Sequence, residues 1–292
     1  MLSPFGADLF IGCLPLHNDA MARAPDIFSK RPKMGMLSQC LERIKELREN
    51  WRSGEVYERR GEEKPLWFRG HLNADWKLTP KLYRPEFFGS DENEIRQEFQ
   101  SRALQLIQGR MPADKWEWYF LMQHYGVPTR LLDWTENALI GLYFAVENHP
   151  ATYDAALWVL DPYWLNKKLR RGIDGAMLPD WSEAQSYLLD MEIAFSGRKL
   201  WTALPAAIEP PHVDRRLAAQ SSRFVIFGKS RDLMRTKAVR ARDRRVGMIK
   251  IDKSVIPSLQ EDLVHYGITP ITVFPDLVGL SQELCAKWKK KI

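Results

Sequence analysis

Three arginines each close a short apolar or aromatic run: Arg69 in WFRG, Arg84 in KLYR and Arg130 in VPTRLLDW. A guanidinium is planar, permanently charged and forked, so it matches a phosphate or pyrophosphate better than an ammonium does. Trp67, Trp76, Tyr125 and Trp134 lie on or near the same runs and are available to stack on a planar heteroaromatic ring or a base. Asp133 follows Arg130 closely, placed to orient that arginine or to take a proton. The competing reading is structural: an internal Arg130–Asp133 network that fixes a loop, with the tryptophans as core. Tyr143 and Phe144 sit in an apolar stretch that reads as core, although a buried Tyr143 hydroxyl needs a partner.

The element that must position these residues is the run LMQHYGVPTRLLDWTENALIGLYFAVEN, Leu121 to Asn148. A helix from Trp116 is expected to finish at Tyr125, because Gly126 can take the left-handed conformation that closes a helix. Pro128 cannot continue a helix and pushes Val127 toward extended geometry. Thr129 to Thr135 reads as a bend. Thr135 is the expected N-cap of a second helix carrying Ala138, Leu139, Leu142, Tyr143, Ala145 and Val146. The form returns at His265-Tyr266-Gly267, which argues that both glycines are structural.

Around this run the periodicities predict an α+β domain, a central mixed sheet flanked by helices, over residues 36–292. Strands are expected at 66–69, 155–160, 223–227, 246–251 and 271–274, with a second extended piece through Trp76 and Leu78. Helices are expected at 36–51, 95–109, 253–266 and 277–288. Residues 1–35, spaced by Pro4, Pro15, Pro25 and Pro32, read as an irregular leader, and Arg52 to Lys64 as a charged linker. Residues 163–212 are mixed, ending in a turn-rich stretch from Thr202 to Pro211.

Composition excludes several classes. The chain has 292 residues, 45% hydrophobic and 27% charged, as in ordinary globular proteins. No apolar run is long enough to span a membrane, and no basic start precedes the weakly apolar N-terminus, so a cytoplasmic protein is expected. Cys13, Cys40 and Cys285 are too scattered for a disulfide framework or a metal signature, and no metal is expected. There is no Gly-x-Ser-x-Gly elbow, no phosphate loop ending in Lys-Ser or Lys-Thr, and no His-Glu-x-x-His. Charge is uneven: Lys229 to Lys250 carries nine Lys or Arg and two Asp, a local +7 against +6 for the whole chain. Such a cluster attracts phosphates, so nucleic acid or a protein bound to it is a candidate partner; the plainer alternative is a solvated face.

The residues resemble the FRG domain. Trp67-Phe68-Arg69-Gly70 matches its naming motif, and Tyr83-Arg84, the run from Gln123 to Ala145, Arg216-Leu217-Ala218-Ala219-Gln220 and Val273-Phe274-Pro275-Asp276-Leu277 are similar to its other hallmarks. Ser221-Ser222 stand where the family suggests a glycine after Gln220. A second likeness is to ADP-ribosyltransferases, which begin with an aromatic-Arg-Gly strand whose Arg supports NAD. Their poly-ADP-ribose class has a run similar to Gly141-Leu142-Tyr143-Phe144-Ala145. The resemblance implies an NAD-dependent ADP-ribosyltransferase-like effector, a bacterial toxin or antiphage protein, with an antitoxin or accessory protein as a candidate partner. It would assign Arg69, Gln220 and Asp133 to catalysis, and Arg69, Arg84, Arg130, Trp134 and Tyr143 to the dinucleotide. Gln220 replaces the carboxylate expected near the ribose 2′-hydroxyl. It can hold that hydroxyl but supplies no negative charge. The alternative from another class is a non-catalytic nucleic-acid or nucleotide-binding module.

Overall fold

The chain divides into two units, Met1–Met34 and Gly35–Ile292, and the fold and site belong to the second. The computed structural model describes residues 35–52, 64–87, 89–107, 109–150, 152–169, 173, 175–193, 204–211, 215–236, 239 and 243–289. Most of the expected leader and of the charged linker, and part of the basic segment, lie outside the described residues.

Six strands form one sheet in the order β4-β5-β2-β1-β3-β6. They are β1 (Trp67–His71), β2 (Leu131–Thr135), β3 (Ala155–Leu160), β4 (Ala206–Ile208), β5 (Ser222–Ile226) and β6 (Val246–Ile251). All five strand pairs are antiparallel, and an isolated parallel bridge joins Met177 to Ile208. Among the described residues ten helices surround the sheet, so the fold is α+β.

The pleat sorts side chains between two faces. On one face the half made of β1, β3 and β6 buries Phe68, Leu157 and Ile249 against α1 (Met36–Arg52), α4 (Ala138–Val146) and α8 (Ile256–His265). The half made of β2, β5 and β4 buries Leu131, Phe224 and Ile208 against α3 (Lys115–His124) and α6 (Ser182–Ile193). The other face is a core of Trp67, Leu132, Trp134 and Val225, closed by Trp164 of α5 (Pro162–Leu169).

The two halves are joined lightly. β1 and β2 pair only at Phe68 and Thr135, whereas β1 pairs with β3 along its whole length. Beyond that register β1 and β2 part, and a gap opens beside Arg69. What locks β1 is Gly70. A Cβ there would stand 2.3 Å from the Ala145 nitrogen and from the Gly141 oxygen, so only glycine lets the strand lie on the backbone of α4.

Several local expectations are revised. Leu131–Thr135 is a central strand rather than a bend, buried at every position but Asp133. Asn137, not Thr135, caps α4, accepting from the Leu139 and Ile140 nitrogens, while Thr135 Oγ1 accepts from Asn137 N one step earlier. Ile271–Phe274 is not a strand. Pro270 at the first helical position and the reciprocal Thr269–Thr272 capping box turn Pro270–Val273 into a short helix, α9. Lys77 to Pro80 has no strand pairing, so the extended piece through Trp76 and Leu78 is loop. α2 (Glu92–Ala103) starts three residues early because Asp91 caps it. The paired glycines do close helices, Gly126 at φ 72 and Gly267 at φ 78.

Candidate functional site

The gap between β1 and β2 leads into a cleft of about 1410 Å³. Arg69, Arg84, Asp133, Trp134 and Gln220 line it, together with His71, Trp76, Gln123, Glu147 and Arg216. Eight Lys or Arg and five Asp or Glu line the wall, a net of +3 before any ligand enters. Positive charge focused in a concave, partly desolvated wall selects for anions.

Arg69 is the most constrained of these side chains. It sits two residues from His71 on β1, so both project from the same face. Its Nε donates to His71 Nε2 at 3.0 Å, and Nη1 donates to the Asp133 carbonyl at 2.6 Å, bridging the strands where their ladder stops. The Asp133 carboxylate lies 3.6 Å from the same Nη1. Asp133 is held in turn by Gln123, whose Nε2 donates to both carboxylate oxygens at 2.9 Å, and Thr129 donates to the Gln123 side-chain carbonyl. Among the described residues Nη2 of Arg69 has no partner. The side chain is 15% exposed, so the guanidinium is held at two of its three nitrogens and Nη2 is the donor left for the cleft.

His71 is buried at 4% exposure. Burial, with the charges of Arg69 and Arg84 behind it, pushes its pKa down to about 3. The ring is therefore neutral and has one lone pair. Trp158 Nε1 also approaches, 3.2 Å from Nδ1, but the charged Arg69 donor is the stronger claimant. Desolvation also lowers the pKa of Arg69, and Arg84 adds to that through like-charge repulsion. Arg84 is exposed and only weakly tied, its Nε lying 3.5 Å from the Thr79 carbonyl. Two guanidiniums thus lie within electrostatic reach of each other, each with donors to spare.

The opposite wall has another character. Glu147 caps the end of α4, and its pKa is raised by burial, with Tyr143 and Arg216 pulling it partly back. The Arg216 guanidinium stacks 4.5 Å from the Phe274 ring centroid. Gln220 Nε2 donates to the Val273 carbonyl at 3.2 Å, and the Gln220 carbonyl accepts from Thr135 Oγ1 at 2.6 Å.

Not every expected residue reaches the cleft. Arg130 points away from it into the protein and is 8% exposed. Its Nε donates to Glu92 at 2.5 Å, Nη1 to the Phe227 carbonyl at 3.2 Å and Nη2 to the Tyr187 carbonyl at 2.8 Å. The expected Arg130–Asp133 pair does not form: neighbours on a strand face opposite ways three residues apart, and Glu92 of α2 takes the arginine instead. Tyr143 is 7% exposed, edge-on to Phe144 and Phe274, and is absent from the lining. Trp134 touches the cleft with a side chain only 3% exposed, whereas Trp76 is 50% exposed.

His71 and Glu147 went unread in the sequence. The signal for His71 was its two-residue spacing from Arg69 on a strand. Glu147 carried none, because its place depends on how α4 ends against the cleft.

Among the described residues no group of three or more His, Cys, Asp or Glu is placed to hold a metal ion, and no helix is long and apolar enough to cross a membrane.

A six-stranded antiparallel sheet with an arginine fixed where β1 and β2 part defines an α+β domain with a cationic cleft. Residues 64–154 match the family model of the FRG domain. The matched segment contributes Arg69, Arg84, Asp133, Trp134 and Glu147 to the cleft, while Arg216 and Gln220 come from beyond it. No curated protein and no solved structure matches the chain.

Proposed function

We propose that the cleft binds a dinucleotide, NAD, and that the protein transfers ADP-ribose from it to an acceptor. The observation that carries this reading is the Arg69 fork, fixed by His71 and the Asp133 carbonyl with its remaining donors turned to the cleft. Arg84 completes the seat for the pyrophosphate, and a cleft of about 1410 Å³ has room for both halves of a dinucleotide. Arg130 has no part in binding; it holds the floor on which Asp133 stands.

In the transfer the bond between the nicotinamide nitrogen and the ribose C1′ breaks, and its electron pair leaves with nicotinamide. The acceptor's nucleophilic atom then bonds to C1′ and gives up its proton. Positive charge builds on the ribose between these events, and a nearby carboxylate stabilises it. Gln220 supplies no charge, so we assign that role to Glu147, with Asp133 beside Arg69 orienting the fork and Gln220 holding a ribose hydroxyl. Lys229, Arg231 and Arg235 at the rim would dock an acceptor that is nucleic acid or bound to it. Scattered cysteines agree with a cytoplasmic effector of the toxin or antiphage kind.

The tethering of the Gln220 amide to Val273 favours a second reading, a nucleotide-binding module without transfer. Incubating the purified protein with labelled NAD and cell lysate separates the two. Transfer of label that vanishes in Arg69→Ala supports the enzyme. Nucleotide binding with no NAD consumption supports the module.

A further inference from the structure

Trp76 is the one large aromatic side chain in the cleft lining that is left half in water, at 50% exposure among the described residues. Leaving so much apolar surface wet forgoes the free energy of burying it. The loop that carries it is nevertheless fixed. Asn73 Oδ1 accepts from the Asp75 nitrogen at 2.9 Å, Trp76 N donates to the Asn73 carbonyl at 3.1 Å, and Ala74 N donates to the Asp154 carbonyl at 2.8 Å. The indole meets His71 edge to face, with ring centroids 6.1 Å apart and an interplanar angle of 63°, so His71 does not cover it as a stacked ring would. His71 is also the ring on which Arg69 rests and which feels the charge of Arg84. One buried, neutral histidine thus touches both a presented indole and the Arg69 guanidinium.

We propose that Trp76 is the platform on which the base of a bound nucleotide stacks, with that nucleotide's phosphates between Arg69 and Arg84. The ligand class is a planar heteroaromatic base joined through one sugar to a phosphate or diphosphate. Trp134, which the resemblance would assign to the dinucleotide, is 3% exposed and has no face to offer. The inference rests on the nucleotide-binding half of the proposed function and is independent of transfer.

Calorimetric titration of the full chain with ADP and with inorganic pyrophosphate tests it, in the unaltered protein and in Trp76→Ala and Trp76→Phe. Stacking on one aromatic ring predicts a loss of about 5- to 150-fold in ADP affinity for Trp76→Ala and a smaller loss for Trp76→Phe. Pyrophosphate affinity stays unchanged in both, which also shows that the variants are folded at Arg69. Equal affinity for ADP in all three proteins overturns the platform. A parallel loss of ADP and pyrophosphate overturns it too, since Trp76 would then be supporting the arginines. If ADP does not bind at all, the platform and the nucleotide reading fall together. If ADP binds through Trp76 but NAD is never consumed, the platform stands and only transfer fails.

Discussion

Glu92→Gln changes one buried carboxylate to an amide of the same shape and leaves Arg130 with its charge in the interior. In the intact protein Glu92 Oε2 accepts from Arg130 Nε at 2.5 Å, Oε1 accepts from Arg130 N at 3.0 Å, and Tyr119 donates to the same oxygen. Both partners are nearly sealed, with side chains 8% and 9% exposed. Burial lowers the proton affinity of Arg130, and Glu92 more than restores it, so the guanidinium is firmly charged. Carbonyls of Phe227 and Tyr187 remain as acceptors but carry no full charge. Breaking a buried pair in this way costs about 3–5 kcal/mol, against less than about 1 kcal/mol for a surface pair. In a domain of this size that is a fall of roughly 6–20 °C in melting temperature. Urea denaturation of Glu92→Gln, Glu92→Leu, Arg130→Met and the Glu92→Leu, Arg130→Met double variant measures it. The double variant should be more stable than the sum of the single losses predicts, because it leaves no charge unpaired. A loss below about 1 kcal/mol for Glu92→Gln, or strictly additive effects, would refute the pair as the anchor of β2.

Acidification should destabilise the protein through His71. Its folded pKa of about 3 lies below the ordinary 6.5, so the unfolded chain binds the proton more readily between those values. Stability is unaffected above pH 6.5 and falls as pH drops below it, by roughly 2 kcal/mol at pH 5. His71→Gln should flatten that slope in pH-dependent melting curves. Gly70→Ala drives a Cβ into the α4 backbone at 2.3 Å and should cost about 1–3 kcal/mol or more, read by denaturation, with nucleotide affinity falling as β1 shifts. Glu147→Gln should leave NAD binding within a few-fold while cutting turnover about 100-fold or more, as expected for a group that acts on charge developing in the transition state. Equal losses in binding and turnover would remove Glu147 from that role.

The fold was legible where apolar pattern and terminator agree. Trp67–Arg69, Ala155–Leu160 and Val246–Ile251 alternate or run apolar and end at turn residues, and each is a strand. The failures have two causes, pairing across the sheet in one case and a helix-start signal that outweighs composition in the other. Leu131–Thr135 follows Gly126 and Pro128 and looks like a bend, yet β5 pairs with all five of its residues. Ile271-Thr272-Val273 has the β-branched composition of a strand, yet Pro270 and the Thr269 cap start a helix. The site divides in the same way. Arg69 was readable from its own strand, because a neighbour at two residues shares its face. The fate of Arg130 depended on Glu92, 38 residues earlier in the chain. No periodicity carries that information.

The proposed seat of a dinucleotide phosphate is Arg69 Nη2, the donor left for the cleft. A crystal structure of the protein soaked with ADP-ribose tests it most directly. Pyrophosphate oxygens are expected within hydrogen-bond distance of Arg69 Nη2 and of Arg84, with the Arg69 Nε–His71 contact kept. A ligand bound elsewhere, or bound here with its phosphates facing solvent and Arg69 untouched, would contradict it.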